Sequence, residues 1–316
     1  MKKKTYVSIT TENYHYLVLW LVKSLKKYSS HDINIFCINY FPSDAGLEMP
    51  DGVKFHRIDY DVYDDGDDFQ SVSGGNFYVN RKNPRIFQIT TRKSEACIRA
   101  LDLGYTEACY IDCDSIASPN IDDIFGYSDQ IENHPLITKG PHEFVMVPDE
   151  EGNMRGNPFE GCWPEMDIKK TLEWPLMEFL QLNPETRDEY RTTNLFIFNQ
   201  NCRDFLVTLE ELLNVLWKIA DVYHYSPFQD ETVTNVLVWK SGGGGLPMSY
   251  INIDNGADTL KHFFETSVEE DVLAGEFYKL PKDKNSIVAF HGEKREQELE
   301  KIVQYLDSLE NKNHFK

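Results

Sequence analysis

The chain has 316 residues, with 32 Lys and Arg against 52 Asp and Glu, a formal net charge of −20 and a pI near 4.8. Its 41% hydrophobic and 13% aromatic content can build a core and excludes a disordered acidic chain. The charge argues against sequence-independent binding to nucleic acid or an anionic membrane, because both need a cationic surface.

In chain order, the first half alternates strand and helix. Thr5–Thr10 reads as a buried strand, and Tyr14–Tyr28 as a helix with Leu17, Leu21, Val22 and Leu25 at helical spacing. Ile33–Tyr40 and Val53–Ile58 read as the second and third strands. A helix is predicted over Thr91–Leu103, stopped by Gly104, before a fourth strand at Glu107–Asp112. This βαβ order predicts an α/β fold: a mostly parallel sheet with helices on both faces. Ligands of such sheets lie in the crevice outside the strands' carboxyl ends, so sites are sought just after strands.

The second half is less regular. Short strands are predicted at Leu136–Gly140 and Thr193–Asn199, helices at Arg203–Tyr223 and Asp230–Trp239, and late strands at Ser249–Ile253 and Ser286–His291. A charged helix over Lys294–Leu309 closes the chain. Glu143–Trp174, rich in Gly, Pro and charge, reads as an irregular acceptor-side loop or lid. No linker cuts the sequence, so one continuous domain is expected, with a nucleotide half over 1–125 and an acceptor half over 126–316.

Six cysteines form no CxxC pair and no metal-finger spacing, and several sit in apolar runs, which suits free thiols in a reducing compartment. Lys2-Lys3-Lys4 is followed by no signal-type apolar region, and the run around Leu17–Val22 is too short to span a bilayer. A soluble cytoplasmic protein is the expectation.

The sharpest motif is CYIDCDSIAS. Asp112 and Asp114 follow an apolar strand, flanking Cys113, and two carboxylates so placed can converge on one hard divalent cation. Mg²⁺ is typically held by one or two carboxylates plus substrate phosphates. The bland alternative is a solvated turn in which Asp114 and Ser115 cap backbone N–H groups. In VAFHGEKR, His291 ends another apolar strand and is followed by Gly292 and Lys294. A neutral imidazole can complete a carboxylate metal site, most readily with Mn²⁺, and Lys294 can offer a point charge to a phosphate. Arg92 and Lys93 open a predicted helix, where cations and helix dipole together suit a diphosphate. The acidic run Asp59–Asp68 reads as a solvated loop, since an EF-hand begun at Asp61 lacks its bidentate Glu. Gly242–Gly245 lacks the Lys-Ser/Thr of a phosphate cradle.

Taken together, four blocks resemble metal-dependent glycosyltransferases of the GT-A fold, most closely the retaining group that includes glycosyltransferase family 8. They are YVSITTENY (Tyr6–Tyr14), LGYTEACYIDCDSI (Leu103–Ile116), FQDETVTNVL (Phe228–Leu237) and FHGEK (Phe290–Lys294). The resemblance implies a DXD motif at Asp112, Cys113 and Asp114 that holds Mn²⁺ or Mg²⁺ against the donor diphosphate, with His291 as third ligand. It implies that Gly292 and Lys294 approach the diphosphate, and that Thr10, Thr11, Asn13 and Tyr14 receive the nucleoside. Thr193 and Asn194 would line the sugar. Gln229 would lie near the reacting carbon, with Asp230 or Glu231 available as a base if the reaction inverts. The implied donor is a nucleoside diphosphate sugar, UDP-sugar above others, and the acceptor is unassigned. The sequence departs from the family's Asn-Ser-Gly, reading Thr192-Thr193-Asn194, and from its Asp-Gln-Asp, reading Phe228-Gln229-Asp230. It also has Lys294-Arg295-Glu296 where the family usually has Lys-Pro-Trp after His-Gly. Two rival readings are a sugar-phosphate nucleotidyltransferase and a non-catalytic nucleotide- or carbohydrate-binding protein of the same fold. The first normally carries a Gly-rich basic loop where this chain has Thr11-Glu12-Asn13.

Overall fold

A computed structural model describes residues 2–60, 89–139, 146–148, 154–156, 173–183, 191–218, 229–253, 256–265, 287–291, 294–312 and 315. The chain opens with β1 (Lys4–Thr10), α1 (His15–Tyr28), β2 (Asp32–Ile38) and β3 (Val53–Ile58). β1 and β2 are buried along nearly their whole length, the signature of strands covered on both faces. Next come α2 (Arg92–Asp102), β4 (Glu107–Ile111), β5 (Ser115–Ala117), β6 (Leu136–Lys139), β7 (Met146–Pro148) and β8 (Met154–Gly156). They are followed by α3 (Glu173–Phe179), β9 (Leu195–Asn199), α4 (Arg203–Lys218) and α5 (Gln229–Lys240). The last elements are β10 (Gly245–Asn252), α6 (Ala257–Glu265), β11 (Ile287–His291) and α7 (Glu296–Asn311).

Nine strands form one sheet in the order β3-β2-β1-β4-β9-β6-β10-β11-β5. Neighbours are parallel except at β4/β9, β9/β6 and β11/β5. The fold is therefore α/β, with a mostly parallel mixed sheet flanked by helices, compatible with a Rossmann-like arrangement. The chain runs outward from β1 to β3 and returns to β4 on β1's other side. That reversal opens a crevice at the carboxyl ends of β1 and β4, where ligands of such sheets bind.

The sheet also closes back toward this crevice. β5 begins four residues after β4 ends, although the two are far apart in sheet order. A chain spans at most ~3.6 Å per residue, so β5 stays within about 14 Å of the β4 end. β11 pairs with β5 and is carried along, with His291 in register opposite Ser115. The main core lies around β1, β2, β4 and β9, while a second apolar cluster joins Leu17 of α1, Ile116 of β5, Leu260 of α6 and Leu299, Ile302 and Leu306 of α7.

Several elements differ from expectation. β10 starts at Gly245 rather than Ser249, because Gly242, Gly243 and Gly244 take φ of 104°, 78° and 153° and turn the chain directly out of α5. β5, α6 and a 3₁₀ helix over Ile121–Gln130 are short elements not expected from the sequence. Within Glu143–Trp174, β7 and β8 pair as a small antiparallel ribbon and α3 starts at Glu173; the rest of that stretch lies outside the described residues. So do residues 61–88, with most of the acidic run, and Gly292. Among the described residues no helix is long and apolar enough to cross a membrane.

Candidate functional site

Asp112 is the first residue past β4 and Asp114 the last before β5, so both carboxylates stand in the turn at the crevice mouth. The turn is fixed at both ends. The Ser115 N–H donates to the Asp112 carbonyl at 3.1 Å, and the Asp112 N–H donates to the Asn194 carbonyl at 2.9 Å. Asn194 immediately precedes β9, which runs antiparallel to β4. The turn is not the solvated, hydroxyl-capped one expected: Ser115 is buried with no hydrogen bond to its Oγ, and the Asp112 side chain is drawn into the molecule.

Lys93 is what draws it in. Its Nζ lies 3.2 Å from Asp112 Oδ1 and 3.1 Å from Asp230 Oδ2, bridging the β4 end to the start of α5. All three side chains are largely buried, at 11%, 18% and 10% exposure. Burial opposes the ammonium charge, and Asp112 and Asp230 together outweigh that effect, holding the Lys93 pKa well above its ordinary value. Arg92 goes elsewhere. Its guanidinium donates to Thr91 Oγ1 and to Asn214 Oδ1 of α4, pairs with Glu95, and lies 4.1 Å from the Tyr60 ring centroid. Consecutive helical residues diverge by about 100°, so one member of the pair reaches the crevice and the other the α4 side. The helix does start at Arg92, with Thr91 at its N-cap position, as expected.

The segment before β9 is laced to α5. The Thr193 hydroxyl donates to Asp230 Oδ2 at 3.1 Å and the Thr193 N–H to Glu231 Oε2 at 3.0 Å. Asn235, one turn further, accepts from the Arg191 N–H at 2.8 Å and donates to the Arg191 carbonyl at 2.8 Å. Glu231 is buried, and its Oε1 makes no hydrogen bond of ordinary geometry. Burial raises its pKa to about 7; Asp230 adds to the rise, while the Thr193 N–H, the neighbouring Thr192 hydroxyl and Lys93 moderate it. The backbone of Gln229 opens α5, and its side chain is outside what is described.

On the other side of the crevice, Thr10 ends β1 and is buried, whereas Asn13 and Tyr14 are exposed. Thr11 accepts the Tyr14 N–H at 3.0 Å through its carbonyl, closing the tight turn between β1 and α1. Lys294 reaches this loop: its Nζ is 5.6 Å from the Tyr14 ring centroid and 3.9 Å from Asp114 Oδ2. For His291 the backbone alone is described, and its register opposite Ser115 puts it one residue from Asp114 across the β5/β11 ladder. Cys113 is half-buried, and burial, with Asp114 and Asp112 adding, pushes its thiol pKa well above the usual range. It therefore stays a thiol rather than a thiolate ligand.

The structure thus brings Lys93, Asp112, Asp114, Thr193, Asp230, Glu231 and Lys294 together with the β1–α1 loop. Two contributors were not singled out from the sequence, Tyr110 and Asn235. Tyr110 stands two residues before Asp112 and Asn235 four after Glu231, spacings that share a strand face and a helix face. Among the described residues, no group of three His, Cys, Asp or Glu side chains is arranged to hold a metal ion. Comparison of the sequence with protein-family models gives no match, and comparison with curated proteins gives none either.

Proposed function

We propose that the chain is a metal-dependent glycosyltransferase of the GT-A fold that transfers a sugar from a nucleoside diphosphate sugar, UDP-sugar above others, to an acceptor hydroxyl. The observation that carries the reading is the return of the C-terminal element: His291 pairs with Ser115 from 177 positions downstream of Asp114, and Lys294 comes within 3.9 Å of Asp114. Nothing local in the sequence forces that meeting.

The donor set suits a hard cation. Asp112 and Asp114 offer carboxylate oxygens, which Mg²⁺ and Mn²⁺ prefer, and two such ligands suffice when diphosphate oxygens complete the shell. His291 is the proposed third ligand. When bound, the cation would stabilise negative charge on the departing diphosphate. The remaining work falls to the chain. Lys294 supplies positive charge beside the carboxylate pair, and Lys93 keeps Asp112 and Asp230 close without mutual repulsion. The β1–α1 loop, with exposed Tyr14, offers an aromatic face to a base. Asp230 is fixed between an ammonium and a hydroxyl, and Glu231, with its pKa near 7, is suited to hold or release a proton near neutrality. Retention at the sugar carbon is the proposed stereochemistry.

Incubation of the chain with a panel of UDP-sugars and Mn²⁺ is expected to release free sugar and UDP slowly from one of them without acceptor. Asp114→Asn should abolish the release. Pyrophosphate formed from a nucleoside triphosphate and a sugar phosphate, with no UDP-sugar cleaved, would overturn the reading in favour of a nucleotidyltransferase.

A further inference from the structure

We infer that Tyr110 is a positioning residue whose phenol sets the orientation of the Asp112 carboxylate for cation binding. The inference rests on the reading of Asp112 as a metal ligand. Tyr110 and Asp112 are two residues apart, so their side chains leave the strand on the same face. The Tyr110 hydroxyl donates to Asp112 Oδ1 at 2.7 Å from a fully buried ring. The ring is immobilised by a near-parallel stack on Phe196, with centroids 5.0 Å apart and planes 15° apart. Phe196 and Tyr110 are in register across the β4/β9 ladder, so the donor rests on two directly paired, buried strands.

Asp112 itself sits past the last residue of β4, and its carboxylate orientation is set by its side-chain partners rather than by the strand ladder. Lys93 does not set it alone. It lies 3.2 Å from Asp112 Oδ1 and 3.4 Å from Oδ2, an almost even distance to both oxygens, and it is shared with Asp230. An ammonium is a point charge that follows a rotating carboxylate. A phenol on a stacked ring does not, and it distinguishes Oδ1 from Oδ2. Hydrogen bonds of this kind to a ligating carboxylate are commonly worth about 10–100-fold in metal affinity.

The test is calorimetric titration of the intact chain with Mn²⁺ alone, for the parent, Tyr110→Phe and Phe196→Leu. Tyr110→Phe keeps the ring stack and removes only the donor. It is expected to keep its denaturation midpoint while Mn²⁺ affinity falls by about tenfold or more. Phe196→Leu loosens the ring but retains the donor, and is expected to lower stability and to cost clearly less Mn²⁺ affinity than Tyr110→Phe. Equal Mn²⁺ affinity in the parent and Tyr110→Phe would overturn the inference and leave the proposed function standing. The inference also falls if Phe196→Leu loses as much affinity as Tyr110→Phe, since packing rather than the hydroxyl would then be responsible. No Mn²⁺ uptake by the parent would overturn the proposed function and this inference together.

Discussion

Lys93→Met is expected to destabilise the folded chain by about 3–5 kcal/mol, the usual cost of removing one partner from a buried ion pair. At 3.2 Å and an effective dielectric near 20, each carboxylate gains about 5 kcal/mol of gross attraction from the ammonium, most of which offsets the desolvation of the charges. Lys93 serves two carboxylates at once, Asp112 and Asp230. Methionine fills the same space but leaves both acids buried with no cation between them. Urea denaturation of the parent and the variant measures it. An unchanged midpoint would mean that the bridge contributes nothing to holding the β4 end against α5.

The ease with which the two halves of this site are read differs for a physical reason. Apolar runs such as those of β1, β2 and β4 declare themselves, because strands covered on both faces must be continuously hydrophobic. The Asp pair is legible because two charges directly after such a run have a short list of uses. The fate of Lys93 and Arg92 is not legible in the same way. Adjacent cations look equivalent in sequence, and only the docking of α2 against β4 and α4 sends one to Asp112 and the other to Asn214. β5 is three residues long and has no periodicity to detect, yet it is the strand that carries β11 to the Asp pair. Asn235 reads as an ordinary polar residue of a buried helix until its side chain is seen pairing with both backbone groups of Arg191.

Glu231→Gln is expected to remove a pH dependence of stability worth about 3 kcal/mol, at ~1.4 kcal/mol for each unit of pKa displacement. In the folded chain the Glu231 pKa is raised to about 7 from an ordinary 4.5, chiefly by burial. Between those two values the folded chain keeps a proton that the unfolded chain has released. Stability contributed by this group therefore falls as pH rises from 4.5 to 7 and is level above that. The groups facing it are Asp230, which adds to the rise, and Lys93, the Thr193 N–H and the Thr192 hydroxyl, which burial outweighs. Glutamine can still accept from the Thr193 N–H and carries no charge to bury. Denaturation of the parent and Glu231→Gln at pH 5 and pH 8 should show the variant gaining on the parent at the higher pH. Parallel pH profiles would mean that Glu231 is not a buried, proton-holding carboxyl.

The central claim, that Asp112 and Asp114 bind a diphosphate through a shared cation, is tested most directly by calorimetric titration of the chain with UDP, first with Mn²⁺ and then in excess chelator. Without a cation, two carboxylates confront a diphosphate and repel it, and the nearby counter-charges are Lys93, bridging Asp112 to Asp230, and Lys294 beside Asp114. Binding in Mn²⁺ that weakens by at least about tenfold in chelator, a difference of ~1.4 kcal/mol, is the predicted result. Equal affinity in the two conditions, or no binding in either, would contradict it.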